Sequence, residues 1–182
     1  MQATVSTEHQ IDIAAPPDRV FAAFTVEAAR ASRPGLLAVD TLRGTPGAPG
    51  HVLLWRRIAG DLDLLIEETV MAVNPPRLLH SQLRPTGMTN LDPAERLPSY
   101  YDGEPPDPDR AFRRAFGPTP PVWEMRITLD RIDLGSRLHL LTRQPDPGRG
   151  LFGRRRKPMP LMTPAELEAI RDWAEGRLAQ VQ

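Results

Sequence analysis

The groups in this chain able to move a proton or hold a ligand are few. There are four histidines (His9, His51, His80 and His139), one adjacent glutamate pair, Glu67 and Glu68, and no cysteine. Without cysteine there is no thiolate nucleophile, no disulfide and no sulfur-ligated zinc. The histidines show neither the HExxH pattern nor any helical metal-ligand spacing, so no metal and no cofactor is expected. His80 falls in a strand-like run between Leu79 and Ser81; turned inward, it would act as a general base near neutral pH. Glu67 and Glu68 are neighbours in another such run, so they project to opposite faces and one of them points to the concave side. That carboxyl would orient a ligand hydroxyl, serve as an acid or base with a raised pKa, or pair with Arg56 or Arg57. Glu67, Glu68 and His80, with Arg56 and Arg126 near them, are the candidates for catalysis, and whether the chain is an enzyme is left open by them.

Two further motifs fail on context. Gly148-Arg149-Gly150-Leu151-Phe152-Gly153 matches GxGxxG, but a dinucleotide site needs a strand running straight into a helix whose N-terminus receives the pyrophosphate. Here Arg154 to Pro160, with two prolines, intervenes. The basic run Arg154 to Lys157 reads as a solvated loop. So does the acidic stretch Asp102, Glu104, Asp107 and Asp109, which lacks the spacing and glycine of a calcium loop. Acidic and basic residues balance at 23 each, so charge gives no reason to expect nucleic acid or an anionic membrane as partner. No apolar run reaches the ~18 residues of a spanning helix, and Met1 to Gln10 carries no signal-peptide pattern, so a cytoplasmic location is expected.

Around these groups the 182 residues read as one domain, 1–182, interrupted by proline. Nine of the 21 prolines lie between Pro85 and Pro121 and five more between Pro145 and Pro164, marking insertions at about 85–121 and 145–162. Glu8 to Ala14 alternates as a strand and stops at Pro16-Pro17. Val20, Phe21 and Phe24 then form a short helical stripe, and Val26 to Ser32 a second helical piece. Strand-like runs follow at Leu36 to Arg43, His51 to Ile58, Leu62 to Val73 and Arg77 to Arg84, joined by short turns that imply antiparallel neighbours. Val122 to Asp130 and Ser136 to Thr142 make a hairpin with Trp123, Met125, Ile127, Leu138 and Leu140 on one side. Thr163-Pro164-Ala165-Glu166 is a capping box with Met162 and Leu167 as its staple. It opens a helix whose apolar face runs Leu167, Ile170, Trp173, Ala174, Leu178 and Val181. In the first insertion Tyr100, Tyr101, Phe112 and Phe116 are aromatic enough to need a packing surface, and the segment is expected to fold over a cavity mouth as a lid or to serve as a partner-binding arm.

Strand, two short helices, a run of antiparallel strands and a long C-terminal helix is an α+β arrangement in which a curved sheet wraps the last helix. The opening HQIDIAAPPDRVFAAFT, the strand-turn-strand EETVMAVNPPRLLHSQL and the hairpin ITLDRIDLGSRLHLLT resemble the START-related SRPBCC superfamily. That superfamily includes Bet v 1-like ligand carriers, polyketide cyclases and Aha1-type Hsp90 co-chaperone domains. The resemblance implies a helix-grip fold with a cavity between C-terminal helix and sheet. Trp55, Met71, Trp123, Met125, Ile127, Leu138, Leu140, Ile170 and Trp173 would line it. A small hydrophobic ligand is the expected partner. A polyketide cyclase or aromatase using the same cavity is one alternative; an Aha1-like protein-interaction module, with a filled core and an exposed apolar patch, is another.

Overall fold

The computed structural model describes residues 3–59, 62–91, 107–148 and 161–177. Tyr100, Tyr101, Asp102, Glu104, the Arg154 to Lys157 run, Leu178 and Val181 lie outside them. The strands are β1 (Thr4–Ile13), β2 (Leu36–Arg43), β3 (Val52–Ala59), β4 (Leu62–Asn74), β5 (Leu78–Asn90), β6 (Trp123–Ile132) and β7 (Gly135–Pro145). The helices are α1 (Pro17–Ala22), α2 (Val26–Ser32), α3 (Pro108–Phe116) and α4 (Pro164–Ala174).

All seven strands form one antiparallel sheet in the order β1-β7-β6-β5-β4-β3-β2. From β2 to β7 each strand pairs with the next along the chain, as short turns require. The exception decides the architecture. β1 and β2 lie at opposite edges, so the link between them must cross the sheet, and α1 and α2 make that crossing. α1 packs over β6 and β7, α2 over β2, and α4 against α1, α2 and β1. Alternation puts Leu62, Leu64, Ile66, Glu68 and Val70 of β4 on the buried face, and Trp123, Met125, Ile127 and Leu129 of β6 do the same. Of these, Leu64, Ile66, Val70 and the four β6 side chains form one core with Leu138, Leu140, Leu167 and Ile170. Among the described residues, no helix is long and apolar enough to cross a membrane.

Three elements differ from the sequence reading. β5 continues through Pro85 to Asn90 where a loop was expected. It pairs with β6 only as far as Leu83 with Trp123, while its β4 pairing runs on past a register shift at Ile66, so Pro85 sits where one side of the strand needs no donor. Within the insertion, Asp107 is not merely solvated. Its carboxylate accepts from the backbone N–H of Asp109 and Arg110 at 3.0 and 3.2 Å and caps α3, with Pro108 in the first turn. Lastly, α4 is short: it stops at Ala174, and Gly176 at φ +75° turns the chain away.

The start of α4 follows its sequence closely. Thr163 Oγ1 accepts from the Glu166 N–H at 3.2 Å, and Glu166 Oε2 accepts from the Thr163 N–H at 2.7 Å. Glu166 also meets Arg57 at 3.1 Å, which fastens the helix to β3. Thr163→Ala is expected to cost about 1 kcal/mol, read as a Tm lower by several degrees; an unchanged Tm would mean the Arg57 contact alone holds this end.

Candidate functional site

The volume expected between the C-terminal helix and the sheet is filled. Trp123, Met125, Ile127, Leu138, Leu140 and Ile170 are all at most 2% exposed and pack together. Trp173 is half-buried, with the Arg19 guanidinium 5.5 Å from its ring centroid. Met71 is on the outside, 45% exposed, at a register shift in β4. None of the nine expected lining residues is among those that line the mostly apolar cavity, although Trp123 borders a cleft beside α3 and Leu140 another beside β1.

That cavity, of about 240 Å³, lies under the α1–α2 junction. Its roof is Phe21, Phe24 and Val26, and its floor is Leu53, Glu68, Val70, Val73 and Leu79 from β3, β4 and β5. Pro46, Gly47 and His51 of the β2–β3 connection form a side, and Glu27 stands exposed at the rim. Two helices of six and seven residues meet at Thr25, and the sheet beneath that joint is left uncovered. Ser32 holds the joint: its buried hydroxyl donates to the carbonyl of Ala23 at 3.0 Å, tying the end of α2 to α1.

The ladder explains why a carboxyl stands in the floor. Glu68 pairs with Leu53 on one side and Leu83 on the other, while Trp55 pairs with Ile66 and Ser81 with Val70. All share the inner face, so Trp55 and Ser81 flank Glu68 diagonally. Arg33, just past α2, enters from above with its guanidinium 4.5 Å from the Trp55 ring centroid and 5.9 Å from that of Phe24. Glu68 is 2% and Arg33 4% exposed.

Burial governs the electrostatics of this pair. It pushes the Glu68 carboxyl above its usual range, against the opposing pull of Ser81, Arg33 and Trp55. It also brings Arg33 down to about 10, offset by Glu68 and Glu166, so Arg33 remains charged at neutral pH. The polar shell is incomplete. The Ser81 hydroxyl, the Trp55 indole N–H and the Arg33 Nε–H are buried without closing a hydrogen bond of good geometry, and such groups are costly unless something else completes them.

Of the candidates read from the sequence, then, Glu68 alone faces the interior. Glu67 turns outward to Arg84 at 3.7 Å. His80 alternates with buried Leu79 and Ser81 and therefore lies on the outer face, beside Glu124, Arg126, Leu141 and Arg143, so it is no base for the cavity. Arg56 pairs with Asp63 at 2.6 Å and Arg57 with Glu166, not with the glutamates. His51 and Arg33 were missed, though both carried a signal. His51 shares strand parity with Leu53 and Trp55, and Arg33 continues the Val26, Ala29 helical stripe. His51 is buried, with its Nε2 3.1 Å from Thr41 Oγ1. Among the described residues, no group of three or more His, Asp or Glu is placed to hold a metal.

The described helix of the aromatic insertion, α3, is not among the walls of this cavity. Phe112 and Phe116 of α3 meet at 5.0 Å with their rings tilted by 51°, and Phe116 meets Trp123 edge-on at 5.9 Å, so α3 closes the core near the start of β6. It borders a separate cleft of about 610 Å³ with Pro120, Pro121, Trp123 and Pro145. The charged residues of that cleft, exposed Arg114 and half-buried Asp146, stay in contact with solvent, and its buried polar side chain is the neutral Gln144, so it holds no buried charge.

A short helix pair and a C-terminal helix held by a curved antiparallel sheet define the helix-grip fold of Bet v 1-like proteins, and this chain has it. The solved structures it is similar to include Ara h 8.0201, at 12% identity over 96% of this chain and 99% of that one, TM-score 0.57. Ginseng major latex-like protein 151 from Panax ginseng matches at 12% identity over 97% and 99%, TM-score 0.57. The di-domain ARO/CYC StfQ from the steffimycin biosynthetic pathway matches at 8% identity over 78% of this chain and 37% of that one, TM-score 0.51. At these identities the likeness is one of fold. No family model matches the sequence, and no curated protein matches it.

Proposed function

We propose that the chain works as one ligand-binding domain, taking a small, mostly apolar molecule into the cavity beneath the α1–α2 junction. The observation that carries this reading is the cavity itself: about 240 Å³, walled by Phe21, Phe24, Val26, Leu53, Val70, Val73 and Leu79. A closed apolar cavity of about 150 Å³ accommodates benzene, so this one suits a molecule of one or two rings. The driving term is removal of apolar surface from water, about 25 cal/mol per Å².

The cyclase-like alternative draws its support from Glu68, a titratable group inside the cavity with its pKa moved upward, and from the ARO/CYC neighbour. Volume sets it second, since an extended poly-β-ketone chain needs more room than two rings occupy. For the interaction-module reading, the large exposed apolar side chains among the described residues, Leu42, Met71, Val122 and Leu134, sit on four separate segments, which supports a docking patch less than the cavity supports a ligand.

Filling the cavity tests the proposal. Naphthalene, followed by its fluorescence, is expected to bind the wild type and to lose at least about tenfold in affinity in Val70→Phe, whose ring would occupy the ligand's space. Equal affinity for a folded Val70→Phe variant would place binding elsewhere and overturn the reading.

A further inference from the structure

The apolar walls explain why a ring would enter the cavity. They do not explain why the floor holds an ionisable carboxyl. Among Leu64, Ile66, Leu83, Trp123 and Met125 of the core, and with uncharged polar groups such as Ser81, Thr142 and Gln144 elsewhere on the buried face of the sheet, a glutamate 2% exposed is an expensive residue unless the site uses it. Glu68 borders the empty volume directly, and it is the meeting point of the indole N–H of Trp55 and the hydroxyl of Ser81, neither of which closes a proper hydrogen bond. Three polar groups therefore meet at Glu68, the one of them that borders a cavity whose roof is aromatic and aliphatic.

We propose that Glu68 is the polar anchor of this cavity and that its ligand is a hydroxylated one- or two-ring compound whose hydroxyl seats on the Glu68 carboxyl. The proposal rests on the cavity reading above and adds the chemistry of the ligand. A hydroxyl is the functional group that fits, because it donates to a carboxylate and accepts from a carboxylic acid, so it complements Glu68 in either protonation state. A carbonyl or ether oxygen can only accept, and an ionised ligand would bring a second charge into a desolvated site. Charges near the anchor come from every side. Arg33 lies above it beyond α2, the Arg57–Glu166 pair joins β3 to α4, His51 stands on the cavity wall and Glu27 at the rim. Arg33 and Arg57 are balanced by Glu166 and Glu27, so the surroundings offer no net charge to draw in an ionised ligand, which favours a neutral hydroxylated one.

The test compares three probes of nearly equal ring size, read by fluorescence titration: naphthalene, 2-methoxynaphthalene and 2-naphthol. On the wild type, 2-naphthol is expected to bind about tenfold tighter than the other two, the size of one buried hydrogen bond to a charged or strongly polar group. In Glu68→Leu this preference disappears while naphthalene binds as well or better. Because Glu68→Leu leaves Arg33 without its counter-charge and can unfold the protein, the isosteric Glu68→Gln is run beside it. It keeps the fold's hydrogen-bonding shape and is expected to retain part of the preference, since an amide still engages a hydroxyl. Equal affinities for 2-naphthol and 2-methoxynaphthalene on the wild type, with both weakened by Val70→Phe, would overturn the anchor and leave the cavity reading standing. A 2-naphthol preference that survives in both Glu68 variants would overturn it as well. Failure of all three probes to bind would count against the cavity reading itself.

Discussion

Glu68→Gln is expected to be indistinguishable from the wild type in stability near pH 4 and to become progressively more stable than it as pH rises. The folded protein raises the Glu68 pKa above the ordinary glutamate value, mainly through burial. The native state therefore binds this proton more tightly than the unfolded chain, and stability must fall as pH climbs from about 4.5 through the raised native pKa. The slope is at most about 1.4 kcal/mol per pH unit for one group. Glutamine mimics the protonated carboxyl and cannot ionise, so the mutant lacks this slope, and the gap between the two proteins opens in the alkaline direction. Subtraction removes the groups the mutation does not touch, such as Asp12, whose carboxyl Arg137 holds below its usual range with the opposite sign. Denaturant unfolding of both proteins at each unit from pH 4 to pH 8 measures the gap. If it opened toward acid instead, Arg33 would be winning over desolvation and holding Glu68 ionised. The result bears on function because it fixes which partner a ligand hydroxyl meets: a carboxylic acid that donates to it, or a carboxylate that accepts.

Much of the fold was legible because period-2 alternation and turn chemistry are local. α2 and β2 appear with the boundaries their sequence implies, and the Thr163 capping box and the β6–β7 hairpin form as their residues dictate. The reading went astray where a distant partner sets the outcome. β5 extends past Arg84 because β4 is there to pair with it, and nothing near Pro85 announces that. The site was half legible. Alternation separates Glu67 from Glu68 without naming the inward one, although Leu64, Ile66 and Val70 share the parity of Glu68 and point to it. The location of the empty space was not legible, because a cavity is a property of how short helices sit on a sheet. Trp123 and Ile170 look as suitable for a cavity wall as Phe24 and Leu79 do; they became core because their neighbours bury them completely, Phe116 of α3 meeting Trp123 edge-on.

The largest loss of stability is expected from one hydrogen-to-methyl change far from the cavity, Gly135→Ala. Gly135 opens β7 at φ +149°, a conformation that side chains rarely adopt, and a Cβ built there would lie 2.1 Å from the Ile13 carbonyl oxygen, 2.9 Å from Ala15 N and 3.0 Å from Ala14 Cα. Every one of these obstacles is backbone, so none can rotate away. The same corner is held by the Ser136 hydroxyl donating to the Ala15 carbonyl at 2.7 Å and by the Ala14 N–H donating to Glu175 at 2.7 Å. It thus joins the ends of β1 and α4 to the start of β7. Gly35 supplies the control: it too has positive φ, +81°, but nothing stands within 4 Å of its built Cβ. Gly35→Ala should therefore cost only the roughly 1–2 kcal/mol of a left-handed residue. Gly135→Ala must also move backbone, and a cost of about 4 kcal/mol or more is expected, a large share of the 5–15 kcal/mol that typically holds a domain together. Thermal unfolding of the two variants side by side measures the difference, and equal losses would mean that the corner yields easily. The consequence reaches the cavity through the chain itself. Ala15 leads directly into α1, whose Phe21, with Phe24 just beyond it, forms the roof, so whatever Gly135→Ala protein remains folded should bind naphthalene more weakly than Gly35→Ala protein does, although neither glycine comes near the ligand.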